Sequence, residues 1–344
     1  MNVREKIENF ENLTLIKEAT LSSKSEGRKI YEKDDDIETC FMIDRDRIIH
    51  CKSFRRLKHK TQVYIKTFGD HYRTRLTHTL EVNEIARTVA VGIGLNENLV
   101  EAISLGHDIG HVAFSHIGEE VLNDFLEKGF RHNEQSVRVV ERLENDGEGL
   151  NLTKEVIDGI LNHSGLRECE GKNGAKTLEG RIVQYSDKIA YINHDIDDSI
   201  RAKLLREEDL PKKACEVLGR CHKDRVKTLV IDLINNSKEN IKKGIIDVSF
   251  SKIIGEAMKD LREFMFENVY LSDALKEERD KARFILEQLI KFYMKYPEKM
   301  PELYLDIAKK EGKNRGVADY IAGMSDDYCL NMFNKIYIPK LVIY

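Results

Sequence analysis

The sequence predicts an all-α fold, and three observations carry that prediction. Only 4 prolines occur in 344 residues, so long helices can run uninterrupted. Apolar residues recur at steps of three and four through most of the chain, the spacing of one helix face. Alternation of apolar and polar residues is confined to Ile246-Asp247-Val248-Ser249-Phe250, the one candidate strand. With 41% apolar and 34% charged residues, the chain has the material for a sizeable core and is not disordered as a whole.

The elements follow in order. Residues 1–40 read as a polar N-terminal arm, solvated or a loose helix, with the charge run Lys33-Asp34-Asp35-Asp36 facing water. From Arg45 the chain turns basic through Arg47, Arg55, Arg56, Lys58 and Lys60; a solvated face is the ordinary reading. Val82, Ile85, Ala86, Val89, Ala90 and Ile93 mark an amphipathic helix ending at Gly92 or Gly94. Asn96 caps the next, which carries Leu99, Ala102, Ile103 and Leu105. Another runs from about His116 to Leu126 and stops at Lys128-Gly129. Val137, Val140 and Leu143 mark one that ends at Asn145-Asp146-Gly147. Thr153 is placed to cap a helix ending at His163-Ser164-Gly165. Glu168 to Gly180 lacks apolar periodicity and reads as a loop, followed by a long helix from about Leu178 to Leu205. Ser325 with Asp326 and Asp327 starts a last helix, its acids on the positive end of the dipole. The expected division is an arm (1–40), a core (41–230) and a helical C-terminal region (231–344) packed on it as one unit.

Charge and cysteines bound the function. A net charge of −4 excludes a broadly basic nucleic-acid coat, although an anionic small molecule needs only local positive charge. The longest apolar stretch, around Val89 to Leu95, is too short to cross a bilayer, and the N-terminus carries no apolar signal core. Six cysteines (40, 51, 169, 215, 221 and 329) form no Cys-x-x-Cys pair and read as reduced thiols of a cytoplasmic protein.

Histidines carry the chemistry. Gly106-His107-Asp108-Ile109-Gly110-His111 and the nearby His116 place imidazoles and a carboxylate among Leu105, Ile109, Val112 and Phe114. If the segment is helical, His107 and His111 lie one turn apart on one face. Polar groups in such a setting need partners, and a divalent ion supplies one. His78 can reach the pair across a helical hairpin. Asp187, Tyr191 and Asp195 repeat at intervals of four, one polar stripe on a helix that is otherwise apolar. The ordinary reading of that stripe alone is a solvent-facing one. A mixed imidazole and carboxylate set suits Mn, Mg, Fe, Ni or Zn without choosing among them.

The order His78, His107-Asp108, Asp187 resembles the H…HD…D pattern of the HD superfamily of metal-dependent phosphohydrolases. Asp44-Arg45-Asp46-Arg47-Ile48-Ile49-His50, Phe54-Arg55-Arg56-Leu57-Lys58-His59-Lys60-Thr61-Gln62-Val63, Arg73-Thr74-Arg75-Leu76-Thr77-His78, His132-Asn133-Glu134-Gln135-Ser136 and Asp319-Tyr320-Ile321-Ala322-Gly323-Met324-Ser325-Asp326 narrow the resemblance. From about residue 27 onward the chain resembles the bacterial deoxyguanosinetriphosphate triphosphohydrolase family. The resemblance implies an all-α HD-domain fold with one metal ion, and cleavage of a deoxynucleoside triphosphate, dGTP or another, to deoxynucleoside and tripolyphosphate. It implies His78, His107, Asp108 and Asp187 as metal ligands. It also implies His116 with Glu119 as a catalytic pair, and His111 and His132 beside the α-phosphate. Gln62 and Tyr191 are then sugar-side contacts, while Arg75, Lys188 and Asp195 meet the phosphates and the 3′-hydroxyl. Ala113 and Ser186 depart from the family pattern, where proline and alanine are usual. At i, i+3 spacing Glu119 is expected to hold the His116 ring.

Two other readings use the same residues. One is an HD-type phosphodiesterase or nucleotidase acting on another nucleotide. The other is a nucleotide-sensing protein that binds single-stranded nucleic acid weakly through the basic stretch. The resemblance further implies a homo-oligomer, and leaves open a nucleotide activator.

Overall fold

Sixteen α-helices carry the chain in the computed structural model, which describes residues 1–62, 72–164, 174–270, 272 and 276–339. In order they are α1 (Val3–Thr14), α2 (Cys40–His50), α3 (Lys52–Arg56), α4 (Arg75–Ile93), α5 (Glu97–Gly106), α6 (Ser115–Phe125), α7 (His132–Arg138) and α8 (Lys154–Leu161). The second half continues with α9 (Leu178–Arg201), α10 (Lys212–Leu218), α11 (His222–Lys242), α12 (Lys252–Met265), α13 (Lys276–Lys295), α14 (Glu302–Glu311), α15 (Lys313–Ala322) and α16 (Asp326–Tyr337). The fold is all-α, and no helix among the described residues is long and apolar enough to cross a membrane.

Local chemistry sets the helix ends. Thr74 accepts from the Thr77 amide and Thr77 bonds back, a capping box that starts α4. Gly94, at φ 97°, ends α4 in a left-handed conformation that costs glycine little. Asn96 caps α5, Thr177 caps α9 and Ser325 caps α16 through side-chain oxygens.

Four expectations are corrected. The 1–40 segment is not a loose arm. Buried carboxylates recruit it: Glu11 accepts from the Ser22 amide and hydroxyl, Glu179 from Thr20, and Asp44 from Arg28. The 33–36 charge run is exposed, as expected. Ile246–Phe250 is extended but has no ladder partner among the described residues; Asn236 and Ser237 of α11 bond its Ser249 instead. Thr153 precedes α8, yet its hydroxyl donates to Asp44 at 2.6 Å rather than capping, and α8 ends at Leu161. Lys60 is not on a solvated face. It is buried, and its ammonium donates to the carbonyls of His111 and Ala322. Of the expected 168–180 loop, residues 168–173 lie outside the described residues, while α9 already begins at Leu178.

Two hydrophobic cores hold the helices. The first joins α2, α4, α5, α8 and α9 to α10–α12, through residues such as Phe41, Val89, Ile103, Ile189 and Leu229. The second joins Val112, Ala113, Phe114 and α6 to α13, α15 and α16, through Leu122, Leu289, Tyr293, Ile321 and Cys329. The segment after α5 leaves one core at Ile109 and enters the other at Val112. The histidine-rich turn therefore lies where the two cores meet.

Candidate metal centre and active site

α4 packs against both α5 and α9, which sets His78 across from His107 and Asp187. His78 Nε2 is 3.0 Å from Asp187 Oδ1 and 3.9 Å from Asp108 Oδ2. His107 Nε2 is 3.6 Å from Asp108 Oδ1 and 3.8 Å from Asp187 Oδ1. The His107 ring is wholly buried. Its Nδ1–H donates to the Ser104 carbonyl at 2.6 Å, so the bare lone pair is on Nε2, which has no hydrogen-bond partner. A buried lone pair between two carboxylates is a donor set that a divalent cation completes, so these residues fit one. Burial works against ionisation of Asp108, but His107, Arg75 and His111 hold its carboxyl well below the usual range. Asp187 is likewise held to about 2, against burial, by its bond to His78 and by His107.

α5 stops at Gly106, and the chain turns through residues 107–111 with the His111 amide donating to the Asp108 carbonyl at 3.1 Å. His107 and His111 therefore do not share a helix face. Gly110 is required here: a Cβ would lie 2.1 Å from the Ser136 backbone nitrogen. Ser136 accepts from the Gly110 amide and donates to the His107 carbonyl, which pins the turn on α7.

On the far side of Asp108 stands a second group. His111 Nε2 is 3.4 Å from Asp108 Oδ1, and the His111 ring stacks on His132 at 4.1 Å and 18°. Burial and the Arg75 charge push the His111 imidazole well down. Glu119 does not hold His116. Its carboxylate accepts from the His132 amide at 2.9 Å and lies 3.0 Å from His132 Nδ1. The chain reverses at Gly129, φ 73°, and returns His132, the first residue of α7, onto α6. Burial opposes but Glu119 prevails, so the His132 pKa is raised. Its Nε2 is 3.2 Å from His163 Nε2. His116, exposed at the edge of the group, lies 6.3 Å from the His111 ring. Desolvation by the surrounding protein, with Arg75 nearby, lowers its pKa to about 4. Arg75 bridges the two groups, donating to Asp108 Oδ2 and to Ser115 Oγ, each at 2.7 Å.

The α9 stripe is not solvent-facing. Asp195 is buried and accepts from the Tyr270 hydroxyl, and burial pushes its pKa up to about 7. Tyr191 stacks on Tyr270 at 5.9 Å and 23°. Lys188 lies over the Tyr185 ring at 5.8 Å, and Gln62 is buried with its side-chain carbonyl unpartnered. The structure thus brings His78, His107, Asp108, Asp187, His111, His132, Glu119 and Arg75 into one connected group. Tyr191 and Asp195 adjoin it along α9, the helix that also carries Lys188.

Four participants escaped the sequence reading. His163 reads there as a helix end, while His194, Glu81 and Tyr270 are singled out by no motif.

The HD domain family matches residues 75–192, and the Phosphohydrolase-associated domain matches residues 248–335. A deoxyguanosinetriphosphate triphosphohydrolase-like protein of Clostridium tetani (strain Massachusetts / E88) is 62% identical over 344 residues, covering 100% of this chain and 99% of that protein. The chain belongs to the deoxyguanosinetriphosphate triphosphohydrolase-like family. Proteins of the same name from Clostridium perfringens (strain SM101 / Type A) and Caldanaerobacter subterraneus subsp. tengcongensis are 61% and 54% identical. They are matched over 100% and 99% of this chain, and over 100% and 97% of their own lengths. As a deoxyguanosinetriphosphate triphosphohydrolase-like chain it is a metal-dependent phosphohydrolase of the HD type. The HD match runs from the first residue of α4 into α9 and includes His78, His107, Asp108 and Asp187, whereas Tyr270 comes from the associated domain.

Proposed function

We propose that this protein hydrolyses deoxynucleoside triphosphates, dGTP among them, to deoxynucleoside and inorganic tripolyphosphate. The observation that carries the reading is one continuous line of groups. It runs from the Arg75–His132 side through Asp108 to Asp187, and along α9 to the Tyr191–Asp195–Tyr270 cluster. Cationic groups stand at one end and aromatic rings with a buried carboxyl at the other. That order matches a phosphate chain followed by a sugar.

His78, His107, Asp108 and Asp187 are the residues that would hold a divalent ion, which neutralises phosphoryl charge and polarises water when bound. Arg75 presents its planar fork to the triphosphate, and His132, its pKa raised by Glu119, adds positive charge beside it when protonated. Water adds to the α-phosphorus, the bond to the 5′-oxygen breaks, and that oxygen leaves as the 5′-hydroxyl with the proton that His116 has taken from the water. His116, neutral at pH 7 and accessible, takes the proton from water, with His111 beside it. Lys188 is assigned to the phosphates and Gln62 to the sugar. Tyr191 packs under the deoxyribose and leaves a 2′-hydroxyl without room or partner, and Asp195 accepts from the 3′-hydroxyl.

Part of the basic stretch is engaged within the protein, while Arg55 and Lys58 stay exposed. Arg45 pairs with Asp46 and Glu101, Arg47 with Glu32, and Lys60 is buried. Free thiols at the described cysteines accord with a cytoplasmic location, and the family resemblance with a homo-oligomer. The deciding experiment incubates the Mn²⁺-loaded protein with each of the four deoxynucleoside triphosphates and identifies products by ³¹P NMR. Tripolyphosphate and deoxynucleoside in equal amounts are expected. Release of monophosphate or pyrophosphate would replace this reading with a nucleotidase or phosphodiesterase.

A further inference from the structure

His78 is the one member of the metal group whose second ring nitrogen meets another side chain. His107 Nδ1 is satisfied by the carbonyl three residues back in its own helix. His78 Nδ1 instead faces His194 Nδ1 of α9 at 3.3 Å, with the rings edge-on at 5.4 Å and 85°. His194 is buried, and its Nε2 contacts the Glu81 carboxylate, one turn beyond His78 on α4. Arg73 holds Glu81 in turn, with its Nε 3.1 and 3.3 Å from the two carboxylate oxygens and its Nη1 3.3 Å from Asp198.

With His194 neutral, donor and acceptor counting leaves one arrangement of protons. An ionised Glu81 only accepts, so the His194 proton is on Nε2. A neutral His194 then has a bare Nδ1, so the facing Nδ1 of His78 must carry a proton. That leaves His78 Nε2 bare, and it points between Asp187 and Asp108. Without a cation, Nε2 takes a proton and donates to Asp187, and Nδ1 keeps its own, so the relay is unchanged. Burying a histidine behind a ligand, against a part-exposed ion-paired carboxylate, costs more than burying an aliphatic side chain. It fixes the ring's tautomer and bearing in return.

We infer that His194 and Glu81 are positioning residues that hold His78 with Nδ1 protonated and Nε2 bare toward the metal ion. The inference rests on the reading of His78 as a ligand, and it concerns groups that act through His78 rather than on substrate.

The test strips the full-length chain with chelator and titrates it with Mn²⁺, following the free ion by electron paramagnetic resonance. Glu81→Ala and His194→Leu should weaken Mn²⁺ binding by about 10- to 100-fold. His194→Gln should bind like the parent, because its amide offers an oxygen to His78 and an N–H to Glu81. Turnover of His194→Leu should recover as Mn²⁺ is raised, a rescue that a merely damaged fold would not give. Parent affinity in a folded His194→Leu protein, or a His194→Gln protein as weak as His194→Leu, overturns the positioning role. Should these variants not fold, histidine ¹⁵N NMR of the Zn²⁺-loaded parent decides. A proton on His194 Nε2 is expected, and one on its Nδ1 overturns the relay. A parent that binds no Mn²⁺ overturns the ligand reading and this inference with it, whereas unchanged variants of a parent that binds overturn the inference alone.

Discussion

Two groups of histidines meet at Asp108 and are held by different means. His78, His107 and Asp187 stand on α4, at the end of α5 and on α9, helices packed into the first core. Their nitrogens are aimed by partners behind them, Ser104 for His107 and His194 for His78. His111, His116 and His132 stand on a turn and on the first turns of α6 and α7, where Phe114 and Ser115 have φ of 59° and 56°. Two consecutive non-glycine residues in the left-handed region are strained, and strain of this kind persists where the surrounding fold over-determines it. Here the Phe114 amide donates to Asp326 and Ser115 accepts from Arg75. The first group is built to present bare lone pairs in a fixed place. The second pairs its imidazoles with one another and with Glu119, and its His116 is exposed.

The largest effect is expected at the shared residue. Asp108→Ala removes a carboxylate that both groups face, so metal content and turnover should both fall to background; full occupancy by metal analysis would separate Asp108 from the cradle. Next comes His116→Ala, which should keep its metal and lose turnover by about 10²-fold or more, splitting the two groups by function. A metal loss equal to that of Asp108→Ala would merge them.

A double-mutant cycle sharpens the contacts inside the second group. Glu119→Ala and His132→Ala should be strongly non-additive in kcat, because Glu119 acts through His132, while Glu119→Ala and His116→Ala should add more nearly. The reverse pattern would return Glu119 to His116.

The smallest effect lies at the sugar end and is a matter of stability. Asp195 has its carboxyl pKa raised from 3.8 to about 7 by burial. A raised pKa means the folded chain is fully favoured below 3.8 and loses that advantage as pH rises through about 7. Asp195→Asn, which still accepts from Tyr270, should therefore raise the thermal midpoint above pH 7 and change it little near pH 4. A gain independent of pH, followed by differential scanning fluorimetry, would show that ionisation of Asp195 is not its cause.

Much of this was legible in the sequence. Helices α4, α5, α6 and α9 announce themselves by apolar spacing, and Gly94, Asn96 and Ser325 mark the end of α4 and the starts of α5 and α16. Asp187, Tyr191 and Asp195 share a face because four residues make nearly one turn. The sequence reading erred where a partner came from another element. Glu119 lies three residues from His116, and spacing alone pairs them; the reversal at Gly129 brings His132 back to take that carboxylate instead. Lys60 sits in a basic run and reads as exposed, yet its ammonium closes onto two main-chain carbonyls in the interior.

The sequence by itself determined that the fold is all-α, which residues share a face on α4 and α9, and that imidazoles and carboxylates would be gathered among apolar neighbours. Those are consequences of a fixed period along one chain segment. The tertiary structure alone decided which lone pair faces which carboxylate: His78 against Asp187 with His194 behind it, His132 against Glu119 with His163 beyond, and Tyr270 over Asp195. A hydrogen bond needs its atoms placed within a few tenths of an ångström, and that placement follows from how α4, α6, α7 and α9 pack once both cores have closed.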